Sequence, residues 1–185
     1  MTTSRNLREL AVQGLIVAGA TAAGVNVYSP RTWATWDGKY PVLLVQTPDE
    51  HGEGWGRQGP PAFTVTTTLR VTARAQSSAA QDDTAAAEVE EQLELMREQI
   101  KAALVNYPPI MSLLQQFPAF RSSINVPRDG QSPIGELTLD LEMEHVQGPD
   151  DFYQPPAVPL QGVDLTVEMP NGTTEPGLTI NLPQT

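Results

Sequence analysis

Two histidines, a glycine-rich stretch and a row of carboxylates are the features of this chain whose types and spacing invite a chemical reading. His51 sits among glycines, and His145 stands at the end of an acidic strand face. A metal site would need further ligands converging on either ring, and Glu144 and Asp140 qualify only by closeness in sequence. Neither histidine adjoins a Gly-x-Ser-x-Gly elbow, so local context suggests no Ser-His-Asp arrangement. Gly52-Glu53-Gly54-Trp55-Gly56 has the glycine density of a phosphate cradle. It lacks a following Gly-Lys-Ser/Thr, and Glu53 would oppose a phosphate. The pairs Asp49-Glu50, Asp82-Asp83 and Asp150-Asp151 are adjacent, so their side chains point apart; this suits loops and helix starts better than an acid/base pair. The chain reads as a non-enzyme with no catalytic, cofactor or metal residue.

The constellation that stands out is Glu136, Asp140, Glu142 and Glu144, four carboxylates on one face at a period of two, with Thr138 in the remaining position. Like charges about 7 Å apart along a strand cost stability unless water or a partner's cations screen them. Two readings follow. One is a solvated face lying opposite Arg70 and Arg74 of another long strand. The other is a surface that lines a channel or meets a basic partner.

Composition narrows the classes. The formal charge is -11, from 22 acidic against 11 basic residues, which disfavours affinity through phosphate neutralisation. Cysteine is absent, excluding disulfide frameworks, thiolate metal sites and thiol nucleophiles. A chain of 185 residues fits one domain plus an appendage. Arg5 and Arg8 precede an apolar run, as in a secretory signal, but Glu9 and Gln13 interrupt it. Leu7, Leu10, Ala11, Gly14, Leu15 and Ala18 keep helical spacing instead, and the run is too short to span a bilayer.

The elements that must position these residues follow from periodicity. A helix is expected over 4–18 with Ser4 as N-cap, ending between Gly19 and Gly24. Residues 25–28 read as a short strand, and Trp33 and Trp36 after it cap one end of the core in preference to stacking on a ligand. Residues 42–46 form an apolar strand covered on both faces. Residues 49–61, with four glycines and two prolines, are expected to be an exposed loop for partner contact, presenting His51, Glu53, Trp55 and Arg57. Residues 62–75 alternate cleanly, with Phe63, Val65, Thr67, Leu69, Val71 and Ala73 on the dry face. The dominant helix spans 78–106, with Val89, Leu93, Met96, Ile100 and Leu104 as its apolar stripe and Asp82 and Asp83 at its positive end. A short helix at 110–117, a strand at 120–126, a turn at 128–130 and a second long strand at 134–146 complete the body.

After Gly148 the character changes. A proline-rich stretch over 154–159 leads to segments 163–169 and 178–182 that can pair as a hairpin across Pro170-Asn171-Gly172. The fold class is therefore α+β, a mixed and mainly antiparallel sheet against one long and one or two shorter helices. It divides into 1–147 and a proline-rich arm, 148–185, that completes its sheet on the body or on a neighbouring subunit.

The order helix, small-residue turn, strand resembles the opening of the tail-terminator (tail-completion) proteins of long-tailed bacteriophages. The segments AGATAAGVNVYSPRTW, YPVLLVQTP and GELTLDLEME, with the strand 63–74, carry the resemblance, which covers about residues 5–147. It implies a structural virion protein at the tail neck, assembled in the host cytoplasm and not in a membrane. It implies a homo-oligomeric ring, a hexamer in that family, that stops tail polymerisation and joins the head. Its partners would be the tail-tube protein on one face and a head–tail connector on the other. DNA would pass through without specific binding, past a lumen whose negative charge repels it. Glu136, Asp140, Glu142 and Glu144 would line that lumen or a subunit seam. A neck connector, a tail-tube subunit and, more distantly, a secreted binding module are the alternatives.

Overall fold

A computed structural model describes residues 1–17, 19–29, 40–56, 59–77, 84–127, 134–153, 156, 162–172 and 174–181. It is α+β. The elements are α1 (Ser4–Ile16), β1 (Val27–Tyr28), β2 (Val42–Gly54), β3 (Phe63–Gln76), α2 (Thr84–Leu104), α3 (Pro108–Met111), β4 (Phe120–Asn125), β5 (Ile134–Gln147), β6 (Gly162–Glu168) and β7 (Thr174–Asn181). Two units separate at Phe152. The first is a five-stranded sheet of order β1-β2-β3-β5-β4 with helices packed on it; the second contains the β6–β7 pair. Only β1 runs parallel to its neighbour. Trp33, Trp36, Asp82, Asp83, the turn at 128–130 and most of the stretch 154–159 lie outside the described residues.

The two long strands make the frame. β3 and β5 pair without a register break from Phe63↔Gln147 to Gln76↔Ile134. At 14 residues each they extend about 45 Å. Their alternation sorts the sheet into two faces. Leu69, Val71 and Ala73 meet Leu141, Leu139 and Leu137 on the dry face, all fully or nearly fully buried. Two helices cover that face: α1 through Leu7, Ala11 and Leu15, and α2 through Val89, Leu93, Met96, Ile100 and Leu104. Burying one stripe of each helix against one face of the sheet is what holds the layers together. β2 contributes Leu43 and Val45 to this core, and Val42 and Leu44 are buried as well.

Local chemistry sets the boundaries. Thr3, not Ser4, caps α1: its hydroxyl accepts the Asn6 N–H at 3.2 Å. This frees Ser4 to bond Glu50 and, at 3.2 Å, Thr67 on the sheet. The long helix is described from Thr84 and ends at Leu104, where Asn106 takes a left-handed conformation, φ 68°. The expected helix over 110–117 is a correction. α3 is only Pro108–Met111, because Gln115 and Gln116 are drawn into backbone bonds with Glu144 beside β5.

The expected loop over 49–61 is also corrected. β2 continues through Gly54, so His51 and Glu53 are strand residues paired with Thr66 and Thr64. A register shift between Gln46 and Asp49 absorbs Pro48, which has no N–H for a ladder. Two of the glycines that suggested a turn lie beneath an aromatic ring. A Cβ on Gly52 or Gly54 would stand 3.8 Å or 3.6 Å from Phe63, an ordinary contact distance, so a strand side chain would fit at either position. Phe63 in turn meets Phe152 edge-on, with ring centroids 5.6 Å apart. Together with the Met1 ammonium on Asp151 at 3.1 Å, this contact carries the first unit past residue 147 to Phe152.

Candidate interaction face

The wet face of the sheet brings together two groups of residues that are far apart in sequence. Reading across the register, Glu53, Thr64 and Val146 form one rung, His51, Thr66 and Glu144 the next, and Asp49, Thr68 and Glu142 a third. Below them come Gln46, Arg70, Asp140 and Arg121, and then Val42, Arg74, Glu136 and Asn125. The acidic row and the His51–Glu53 segment thus share one surface, one strand apart.

The four carboxylates are not equivalent. Asp140 is held by a two-pronged contact from Arg70, Nε to Oδ1 at 2.7 Å and Nη2 to Oδ2 at 2.8 Å. Glu136 is bonded by Arg74 at 2.7 Å. A planar guanidinium matches a carboxylate at both oxygens, so Asp140 is the better fixed of the two. The Arg70 guanidinium has its pKa raised by the Asp140 hydrogen bond first, with desolvation opposing. Glu142 and Glu144 stand opposite Thr68 and Thr66 instead. Glu144 accepts from Gln116 at 2.9 Å, a neutral donor that leaves its charge uncompensated. The face therefore divides into a neutralised half and an acidic half carrying Asp49, Glu53, Glu142 and Glu144. Asp49 and Glu50 point to opposite faces: Asp49 joins the acidic half, while Glu50 turns under the sheet to Ser4.

Trp55 lies just past the end of β2 and is exposed. Its indole N–H donates to the Thr64 hydroxyl at 2.8 Å, and its backbone N–H to the Ala62 carbonyl at 3.0 Å. The ring is thereby fixed beside Glu53 rather than free. Arg57 lies outside the described residues. His51 and Glu53 are both exposed, 3.9 Å apart between Nε2 and Oε1.

His145 is a correction. It does not end the acidic face: the alternation of β5 turns it to the opposite side, where it is fully buried. Neither ring nitrogen has a hydrogen-bond partner among the described residues. Burial pushes its pKa down, against weaker upward pulls from Glu50, the Met143 backbone and Asp151. Glu144 and Asp140 lie on the other face, so neither can share a metal with it. Among the described residues no group of three or more His, Cys, Asp or Glu side chains is placed to hold a metal ion.

Sequence reasoning missed two parts of this surface. Asp49 reaches the acidic half only because the bulge before it resets the register; Pro48 marks a break in the ladder but not the offset at which pairing resumes. Arg121 lies opposite Asp140, whose oxygens already receive Arg70. No family model matches the chain, and no curated protein matches it in sequence.

Proposed function

We propose that this chain is a structural ring subunit of the tail-terminator type, working by shape and charge and breaking no bond. The reading supposes that copies associate edge to edge into a closed collar, a hexamer by resemblance, at the tail neck of a virion. One side of the collar would end the tail tube and the other would receive the head–tail connector. The observation that carries it is the acidic half of the wet face. Asp49, Glu53, Glu142 and Glu144 sit together on a rigid sheet, with no lysine or arginine in those rungs. Such a surface repels a passing polyphosphate and lets it slide. Closed rings also need two different edges on each subunit, and the outermost strands of this sheet, β1 and β4, differ. Among the described residues no helix is long and apolar enough to cross a membrane.

Electron microscopy of the purified full chain tests the reading. Closed rings one layer thick are expected. Tubes that lengthen with concentration would favour a tail-tube subunit, and a strictly monomeric protein would end the proposal.

A further inference from the structure

We propose that the outer edge of β4 is the docking site for the β6–β7 hairpin of a second copy of this chain; the proposal rests on the self-associating reading above. Val163 stands opposite Ile180, and Leu165 follows Val163 on the same side, all three substantially exposed. A two-stranded sheet with one apolar side in water is marginal at best, and a third strand or a covering surface is what stabilises it. Among the described residues of its unit, β6 and β7 are the only secondary-structure elements.

Among the described residues the body offers unpaired sheet edges. β4 is terminal in the sheet. The Glu142 N–H donates to the Ala119 carbonyl, which fixes the phase of the ladder. Arg121, Ser123 and Asn125 then bond inward to β5, and Phe120, Ser122 and Ile124 aim their backbone N–H and C=O groups outward. Phe120 stands at that edge 61% exposed. Among the described residues β1 pairs with β2 only at Leu43 and Leu44, so β2 has no further strand partner on that side.

Charge decides between the two edges. Residues 153–185 contain Asp164, Glu168 and Glu175 and no lysine, arginine or histidine. The β2 edge carries Asp49, Glu50 and Glu53, so like charges would oppose the hairpin there. The β4 edge carries exposed Arg121 and has Lys101 5.4 Å from the centre of the Phe120 ring. Strand addition at β4 would supply backbone hydrogen bonds, an aromatic contact for the apolar side and opposite charge. Pairing of β4 with a second β4 would instead bring like edges, each bearing Arg121, together.

The chain has no cysteine, so cross-linking reports placed pairs alone. Asn125→Cys in one copy and Thr166→Cys in another should join through a short bismaleimide when the two proteins are mixed and reassembled. A link that forms only within a doubly substituted chain, or none at all, overturns the proposal. Ser122→Pro removes an outward N–H and leaves the β4–β5 ladder intact, and Leu165→Asp alters the hairpin alone. Each should raise the apparent dissociation constant by roughly tenfold or more in mass photometry, with the thermal melt of the body unchanged. Should both variants form rings like the parent, hairpin docking fails while the ring reading stands. A parent protein that is monomeric at every concentration defeats the ring reading and this inference with it.

Discussion

Arg70 and Arg74 decide what the acidic row can do, because they cancel the charge of Asp140 and Glu136 and leave that of Glu142 and Glu144. The Arg70–Asp140 contact is two-pronged and part-buried, whereas Arg97 meets Glu94 at a single 3.5 Å contact on an exposed helix face. A double-mutant cycle with Arg70→Met and Asp140→Asn should give a coupling of about 1 kcal/mol, against roughly 0.3 kcal/mol for Arg97 and Glu94. Equal couplings would mean that the fork geometry adds nothing. His145 makes a different prediction. Its folded-state pKa lies below the ordinary imidazole value of about 6.5, chiefly through burial. In that range the unfolded chain takes up a proton that the folded chain refuses, so stability falls as pH drops from 7 toward 5. The Asp151 carboxyl, lowered first by its hydrogen bond with the Met1 ammonium, titrates in a separate and more acidic window. Thermal melts across pH should show the loss in the parent. His145→Met should flatten it without destabilising the protein at pH 7, since it removes two unsatisfied nitrogens. A slope that survives the substitution would assign the pH dependence to other groups.

Elements meet tightly where β5 begins. A Cβ on Gly135 would lie 2.5 Å from Val89 Cγ1 and 2.7 Å from Leu93 Cδ1, both on fully buried side chains of α2. Gly135→Ala should therefore cost about 1–3 kcal/mol, by prising α2 from the sheet or forcing off-rotamer side chains. Denaturant unfolding measures this, and a neutral result would mean that α2 has slack there. The start of α1 is the contrasting case. Losing the Thr3 hydroxyl should cost about 1 kcal/mol through one unsatisfied N–H, with no rearrangement of the core.

For the whole molecule, charge and edges are the variables. Glu142→Lys with Glu144→Lys should shift the melting temperature little, because both are half-buried beside neutral threonines and the one side-chain hydrogen bond lost, from Gln116 to Glu144, is exposed. If the acidic half lines a bore, the altered rings should retain DNA and lose ejection efficiency. If it forms a subunit seam, rings should fail to close. Rings and infectivity equal to those of the parent would remove both roles. If the chain forms such rings, Trp55→Ala, which leaves the core untouched, should weaken joining to a tube or connector without affecting ring assembly, and unimpaired joining would remove that role from Trp55.

How much was legible depended on range. The alternation in β3 and β5 sorted the dry face from the wet, and the apolar stripe of α2 named its buried residues, because both are periodic properties of short segments. The opposition of Arg70 and Arg74 to the acidic row could be anticipated from two such strands alone. Glycines at 52 and 54 misled, since their turn signal is local while the pairing that makes them strand residues comes from β3. His145 was placed on the wrong face by its acidic neighbours, although the period of two already assigned it to the buried side. Register across the bulge at Pro48, the split of four carboxylates into paired and unpaired, and the outward phase of β4 were decided only in three dimensions. Each depends on which strands lie side by side and at what offset, and that offset is fixed by pairing between segments far apart in the chain, which no local pattern encodes.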